Sequence, residues 1–94
     1  MIVRILGVGQ YRVDEADLPR LEEVDDRVEQ AIADGDDAAF QAALGDLVDA
    51  IVRMGTPLPV EEFVGSDVVV PDRDTTLAEA RAMGADEAQG LIPG

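Results

Sequence analysis

Apolar and polar residues alternate over residues 1–13, MIVRILGVGQYRV. Met1, Val3 and Ile5 alternate with Ile2, Arg4 and Leu6, and Tyr11 and Val13 flank Arg12 on a return segment. Successive side chains of a strand point to opposite faces, so this period of two predicts two strands. Gly7 and Gly9 supply the backbone freedom a tight reversal needs, which makes residues 1–13 a β-hairpin. Both faces of the first strand are largely apolar, which predicts a central strand or one covered on both sides.

From residue 18 the period lengthens. Leu21, Val24, Val28 and Ile32 fall on one stripe, predicting a helix over 18–33 whose other faces carry Arg20, Glu22, Glu23, Asp26, Arg27 and Gln30. Asp14 or Asp17 can cap its start, and Pro19, tolerated only in a first turn, favours Asp17. Glu23 and Arg27 are spaced as an i,i+4 ion pair in the favourable order. Asp34-Gly35-Asp36 then reads two ways at once: Gly35 ends one helix in a left-handed conformation and Asp36 caps the next. The second helix runs over 37–54 with Phe40, Ala43, Leu44, Leu47, Ile51 and Met54 as its apolar stripe, and stops at Gly55 before Thr56-Pro57. So short a connection forces an antiparallel helical hairpin over 18–54.

Beyond Gly55 the pattern is less regular. Thr56-Pro57-Leu58-Pro59 is extended, because each proline biases its predecessor away from helix. Residues 60–64 have room for one helical turn, Val68-Val69-Val70 reads as a short strand stopped by Pro71, and the Thr76–Glu79 spacing of a capping box predicts a short helix over 77–83. The predicted class is α+β: an N-terminal β-hairpin and a short third strand packed on the antiparallel helix pair, with a short C-terminal helix, all within one small acidic domain over 1–94. Residues 56–94 supply the extended segment, strand, short helix and tail.

Composition narrows the chemistry. The chain has 94 residues and carries 21 acidic side chains against seven basic ones, all arginine, for a formal charge of −14. It has no His, Cys, Lys or Trp, so the groups that most often move a proton or attack a carbonyl near neutral pH are missing. That points away from an enzyme and toward an interaction module. A chain of this size buries only about 60–65% of its unfolded surface. With three aromatic residues among its 94, the core is built from Val, Leu, Ile and Ala. The lack of Cys excludes disulfides and Cys-ligated metals and fits a reducing cytoplasm. No apolar run is long enough for a signal segment or a membrane span. The acidity reads either as a solubility surface of a salt-loving or high-GC background or as a functional surface, and it disfavours direct contact with nucleic acid or anionic lipid.

Three motifs resolve into local structure. Gly7-Val8-Gly9 lacks the third glycine of a dinucleotide loop, since Arg12 stands there. VVVPDRDTT over 68–76 imitates the nucleophile loop of haloacid-dehalogenase-like phosphatases, but Pro71 ends the strand before Asp72 and too little chain follows Asp74; the reading is a polar turn capping the last helix. Asp34, Asp36 and Asp37 lack the ligand spacing of a calcium loop. No cofactor, metal or catalytic residue is assigned.

Three features bear on partners. Asp25 lies at the edge of the first helix's apolar stripe, either as a solvated flank or as a partner of Arg4 or Arg12. Val48 and Val52 spread the second helix's stripe onto a flank, which either packs on two elements of the domain or leaves a groove for a partner helix or second copy. Leu91 and Ile92 make an otherwise polar tail one that docks on the body. Val48, Val52, Leu91, Ile92 and Asp25 are therefore the candidate partner-binding residues.

Several blocks together carry a resemblance: MIVRILG with GQY, LEEVDD, DGDDAAFQAAL, GTPLP, SDVVVPDRDTTLAEAR and the closing GLIPG, in this order. The chain resembles the PspA-associated small-domain family, PspAA, found beside phage-shock protein A. The resemblance implies a non-enzymatic accessory of the envelope-stress system, acting with PspA, a coiled-coil membrane-remodelling protein, in the cytoplasm or at the inner membrane face. Membrane association would then be indirect, through PspA. An acidic inhibitor that mimics nucleic acid and blocks a basic partner, and a homo-oligomer, remain open as alternatives.

Overall fold

Val3 and Ile5 are buried while Arg4 between them is exposed, the alternation of a strand with one face on a core. In the computed structural model, which describes residues 1–59 and 65–82, this strand is β1 (Ile2–Ile5) and its return is β2 (Gly9–Arg12). They pair antiparallel, with Val3 opposite Tyr11 and Arg4 opposite Gln10. The reversal between them is closed by the Val8 N–H donating to the Ile5 carbonyl at 3.0 Å, with Gly7 at φ 80°.

Two more strands complete a mixed sheet in the order β3-β2-β1-β4. β4 (Val68–Val70) runs parallel to β1, with Val3 beside Val68 and Ile5 beside Val70. β3 (Thr56–Pro57) pairs antiparallel with β2. The third strand and the central place of β1 match the sequence reading. The pairing of Thr56–Pro57 adds a fourth strand to a segment whose sequence shows only that it is extended.

The helix pair is α1 (Leu18–Asp34) and α2 (Asp37–Met54). Gly35 stands at φ 68°, and the Asp36 carboxylate accepts the Ala39 N–H at 3.1 Å, so the two-way signal at 34–36 works as read. The entry to α1 differs. Neither Asp14 nor Asp17 makes a side-chain capping bond. A 3-10 turn over Glu15–Asp17 leads directly into the helix and leaves Asp17 with helical dihedrals, whereas a capping side chain needs an extended backbone. The Glu23–Arg27 pair is also replaced. Arg27 reaches across to Asp46 of α2 at 2.8 Å, tying the two helices instead of one turn to the next.

The short helix α3 (Leu77–Ala82) opens on the expected capping box, with Thr76 N–H donating to Glu79 and Glu79 N–H donating to Thr76, both at 3.2 Å. Residue 83 of the expected helix, the helical turn at 60–64 and the tail with Leu91 and Ile92 lie outside the described residues.

One core joins the layers. Val3, Ile5, Val13, Val68 and Val70 from the sheet side meet Leu21, Val28 and Ile32 of α1, Phe40, Leu44, Leu47 and Ile51 of α2, and Leu77 and Ala80 of α3 in a single cluster. The helices thus cover one face of the sheet. The other face carries Arg4 and Val69, which are exposed.

Candidate functional site

The five candidate partner residues separate. Val48 is 1% exposed and belongs to the core, packed with Leu44, Leu47 and Ile51. Of the two readings of the wide α2 stripe, packing within the domain therefore holds for Val48. Val52, one turn on, is 42% exposed and stands on the surface of α2. Leu91 and Ile92 are outside the described residues.

Asp25 is no solvated flank. It is 3% exposed, on the buried side of α1 with Leu21, Val28 and Ile32. Arg4 and Arg12, the partners the sequence offered for it, are exposed side chains of the sheet. The carboxylate is nonetheless engaged, and among the described residues no buried side-chain oxygen or nitrogen lacks a hydrogen bond. Such a group is a structural anchor, since a buried charge persists only when it is bonded.

The other acidic clusters divide by what they bond. Asp34 accepts from Gln30 at 2.9 Å, Asp36 caps α2, and Asp37 accepts the Leu77 N–H at 2.7 Å. Asp72 accepts from the Asp74 N–H and the Thr75 hydroxyl, both at 3.1 Å, which makes 72–75 the polar turn expected before α3. These carboxylates are committed to holding the chain. Among the described residues no group of three or more acidic side chains is placed to hold a metal ion.

Glu22, Asp26 and Glu29 are different. They fall at i, i+4 and i+7 of α1 and so form a line along one helix face. None of them has an ion-pair partner among the described residues, where arginine pairs only with Asp46 and Asp49 on α2. Like charges at this spacing cost a helix a few tenths of a kcal/mol per pair, so the line is not explained by stability. The region from Asp14 to Asp37 holds eleven acidic residues against two arginines, whereas residues 1–13 hold two arginines and no acid. Charge is segregated: the α1 side is strongly negative and the hairpin is positive. The sequence displays this segregation as plainly as it does the hydrophobic pattern, but only the fold leaves Asp26 and Glu29 exposed, with half-buried Glu22 in line with them.

The outer face of the sheet is the second feature the linear pattern does not single out. Three exposed aliphatic residues, Leu6 at 37%, Val8 at 54% and Val69 at 48%, lie around Arg4 on this side and at the hairpin turn. Arg4, Val8, Gln10 and Leu58 line a cleft of about 210 Å³ there.

Comparison with known proteins gives three findings. The family described as PspA-associated protein matches residues 1–94, the whole chain. A curated relative, the Holliday junction branch migration complex subunit RuvB of Streptomyces griseus subsp. griseus, is 39% identical over 80 residues, which is 85% of this chain and 19% of that protein. The chain thus spans about a fifth of the curated relative it matches. No solved structure matches it.

Proposed function

The chain belongs to the PspA-associated protein family, and we propose that it is a non-enzymatic accessory of the phage-shock response, a single acidic domain over 1–94 that regulates PspA by direct contact. The observation that carries this reading is the line of half-buried Glu22 and exposed Asp26 and Glu29 on α1, in a region of eleven acids and two arginines. Carboxylates held at helical spacing complement arginines or lysines spaced along a partner helix. A basic coiled-coil stretch that would otherwise meet anionic lipid is masked when it lies on this face. The protein then works in the cytoplasm and reaches the inner membrane face only through PspA. The charge of −14 supports indirect rather than direct attachment. No helix among the described residues is long and apolar enough to cross a membrane. Exposed Val52 on α2 and the tail residues Leu91 and Ile92 are the apolar contact residues of this reading.

The test is capture of the cognate PspA by wild type and by the triple variant Glu22→Gln, Asp26→Asn, Glu29→Gln, at about 50 mM and about 500 mM salt, where exposed charges are respectively felt and largely screened. Wild-type capture that weakens with salt, together with weak capture by the triple variant at low salt, supports the reading. Equal capture by both proteins at both salts refutes the charge-masking mechanism.

The charge of −14 supports a second reading, an acidic inhibitor or nucleic-acid mimic that occupies a basic partner. Competition between this protein and DNA for such a partner is its signature, and indifference to DNA sets it aside.

A further inference from the structure

We propose that the outer face of the sheet is a second docking surface, which takes a segment of a partner protein that carries aliphatic side chains and a carboxylate. Arg4 stands at the centre of this face. Its register neighbours are Gln10 on β2 and Val69 on β4, so the three side chains share one side of the sheet. Leu6 and Val8 continue the aliphatic surface toward the hairpin turn. Four large hydrophobic residues among those described are exposed, and three of them, Leu6, Val8 and Val69, belong to this patch. An apolar group of this kind on a small domain marks a contact surface.

The charges define the occupant. Among the described residues, none of the strands contains an acidic residue. Arg4 has no ion-pair partner among the described residues, although the chain carries 21 acids. Asp67, at the edge of this face, has its carboxylate engaged by the Ile2 N–H at 2.8 Å. A cation with no ion-pair partner among the described residues, set amid aliphatic side chains, complements a carboxylate with aliphatic neighbours. A second copy presenting the same face is disfavoured, because it would set Arg4 against Arg4. An anionic bilayer is disfavoured by the overall charge of −14. A small metabolite is disfavoured by size: the cleft measures about 210 Å³, below the roughly 300–1,000 Å³ of small-molecule sites. A protein segment laid across the sheet remains. The two faces of the molecule then engage partner surfaces of opposite charge.

The experiment titrates the cognate PspA into wild type, Val69→Asp and Arg4→Gln, with the triple carboxylate variant of α1 in parallel. It rests on the reading that PspA is the partner, and the two sets of variants separate the two claims. Thermal melting of Val69→Asp and Arg4→Gln is expected to match wild type, because both side chains are exposed. Binding is expected to weaken about tenfold in Val69→Asp and at least about threefold in Arg4→Gln. Wild-type affinity in both folded variants overturns the proposal. If the α1 variant has nonetheless lost affinity, the charge-masking reading stands alone. Absence of binding by wild type overturns both. Two controls identify the wrong occupant: a wild-type dimer that Val69→Asp dissolves, or capture on vesicles rich in phosphatidylserine that Arg4→Gln abolishes, overturns the protein-segment proposal.

Discussion

The carboxylate of Asp37 accepts the backbone N–H of Leu77 at 2.7 Å, so the first residue of α2 caps the first turn of a helix 40 positions later. Arg81, near the end of α3, returns the contact by donating to the Ile32 carbonyl in the last turn of α1 at 2.8 Å. Two helix ends, the start of α3 and the end of α1, are therefore satisfied by two side chains at one corner. A helix of six residues is too short to be stable by itself, and these bonds together with buried Leu77 and Ala80 hold it. Asp37→Ala is expected to lower unfolding free energy by about 1 kcal/mol, while Asp37→Asn, which keeps the acceptor, loses only a few tenths. Urea unfolding followed by circular dichroism measures both.

Two glycines of the α2 region respond oppositely to a methyl group. A Cβ on Gly55 would lie 2.7 Å from the Ile51 carbonyl oxygen and 3.0 Å from the Tyr11 Cβ, where α2 passes β2. Gly55→Ala is expected to destabilise by about 2 kcal/mol through this overlap. Gly45 lies inside α2, and a methyl group there would meet nothing within 4 Å. Gly45→Ala is expected to stabilise by about 0.5–1 kcal/mol by restricting the unfolded chain. The difference between the two melting temperatures checks the pair of claims in one comparison.

Asp25 tests whether a buried carboxylate holds the core together. Asp25→Ala is expected to cost about 2 kcal/mol or more, because it removes the bonds of a buried carboxylate from the core side of α1. A loss below about 0.5 kcal/mol in denaturant unfolding contradicts that role.

Val48 and Val52 separate packing from surface. Val48→Ala is expected to cost about 2 kcal/mol through lost burial and a residual cavity. Val52→Asp is expected to change stability by less than about 0.5 kcal/mol, since the site is exposed. Unchanged affinity for PspA in folded Val52→Asp removes that residue from the contact surface.

The helices were legible because each writes its own signal: stripes spaced three and four apart, Gly35 with Asp36 between them, and the Thr76–Glu79 box. What was not legible depends on distant partners. Thr56–Pro57 becomes a strand only because β2 offers it an edge. Arg27 chooses Asp46 over Glu23 because α2 lies within reach, a fact no local spacing contains. Asp25 sits at the margin of a stripe, and whether a margin is wet or dry is decided by the width of the layer packed against it. The line Glu22, Asp26, Glu29 is present in the sequence, but the exposure of Asp26 and Glu29 on α1 depends on where the arginines point in the folded molecule.

The parallel pairing of β1 with β4 joins residues 65 positions apart, as at Ile2 and Asp67. β1 is a central strand, so one of its edges has no partner until Val68–Val70 has been synthesised and released from the ribosome tunnel. The hairpin and both helices can form before then, but the sheet cannot close. Loop closure over this distance slows folding more than it weakens the finished state. Closure of the sheet therefore waits for β4, and a nascent chain stalled short of it presents an unpaired apolar strand edge to chaperones.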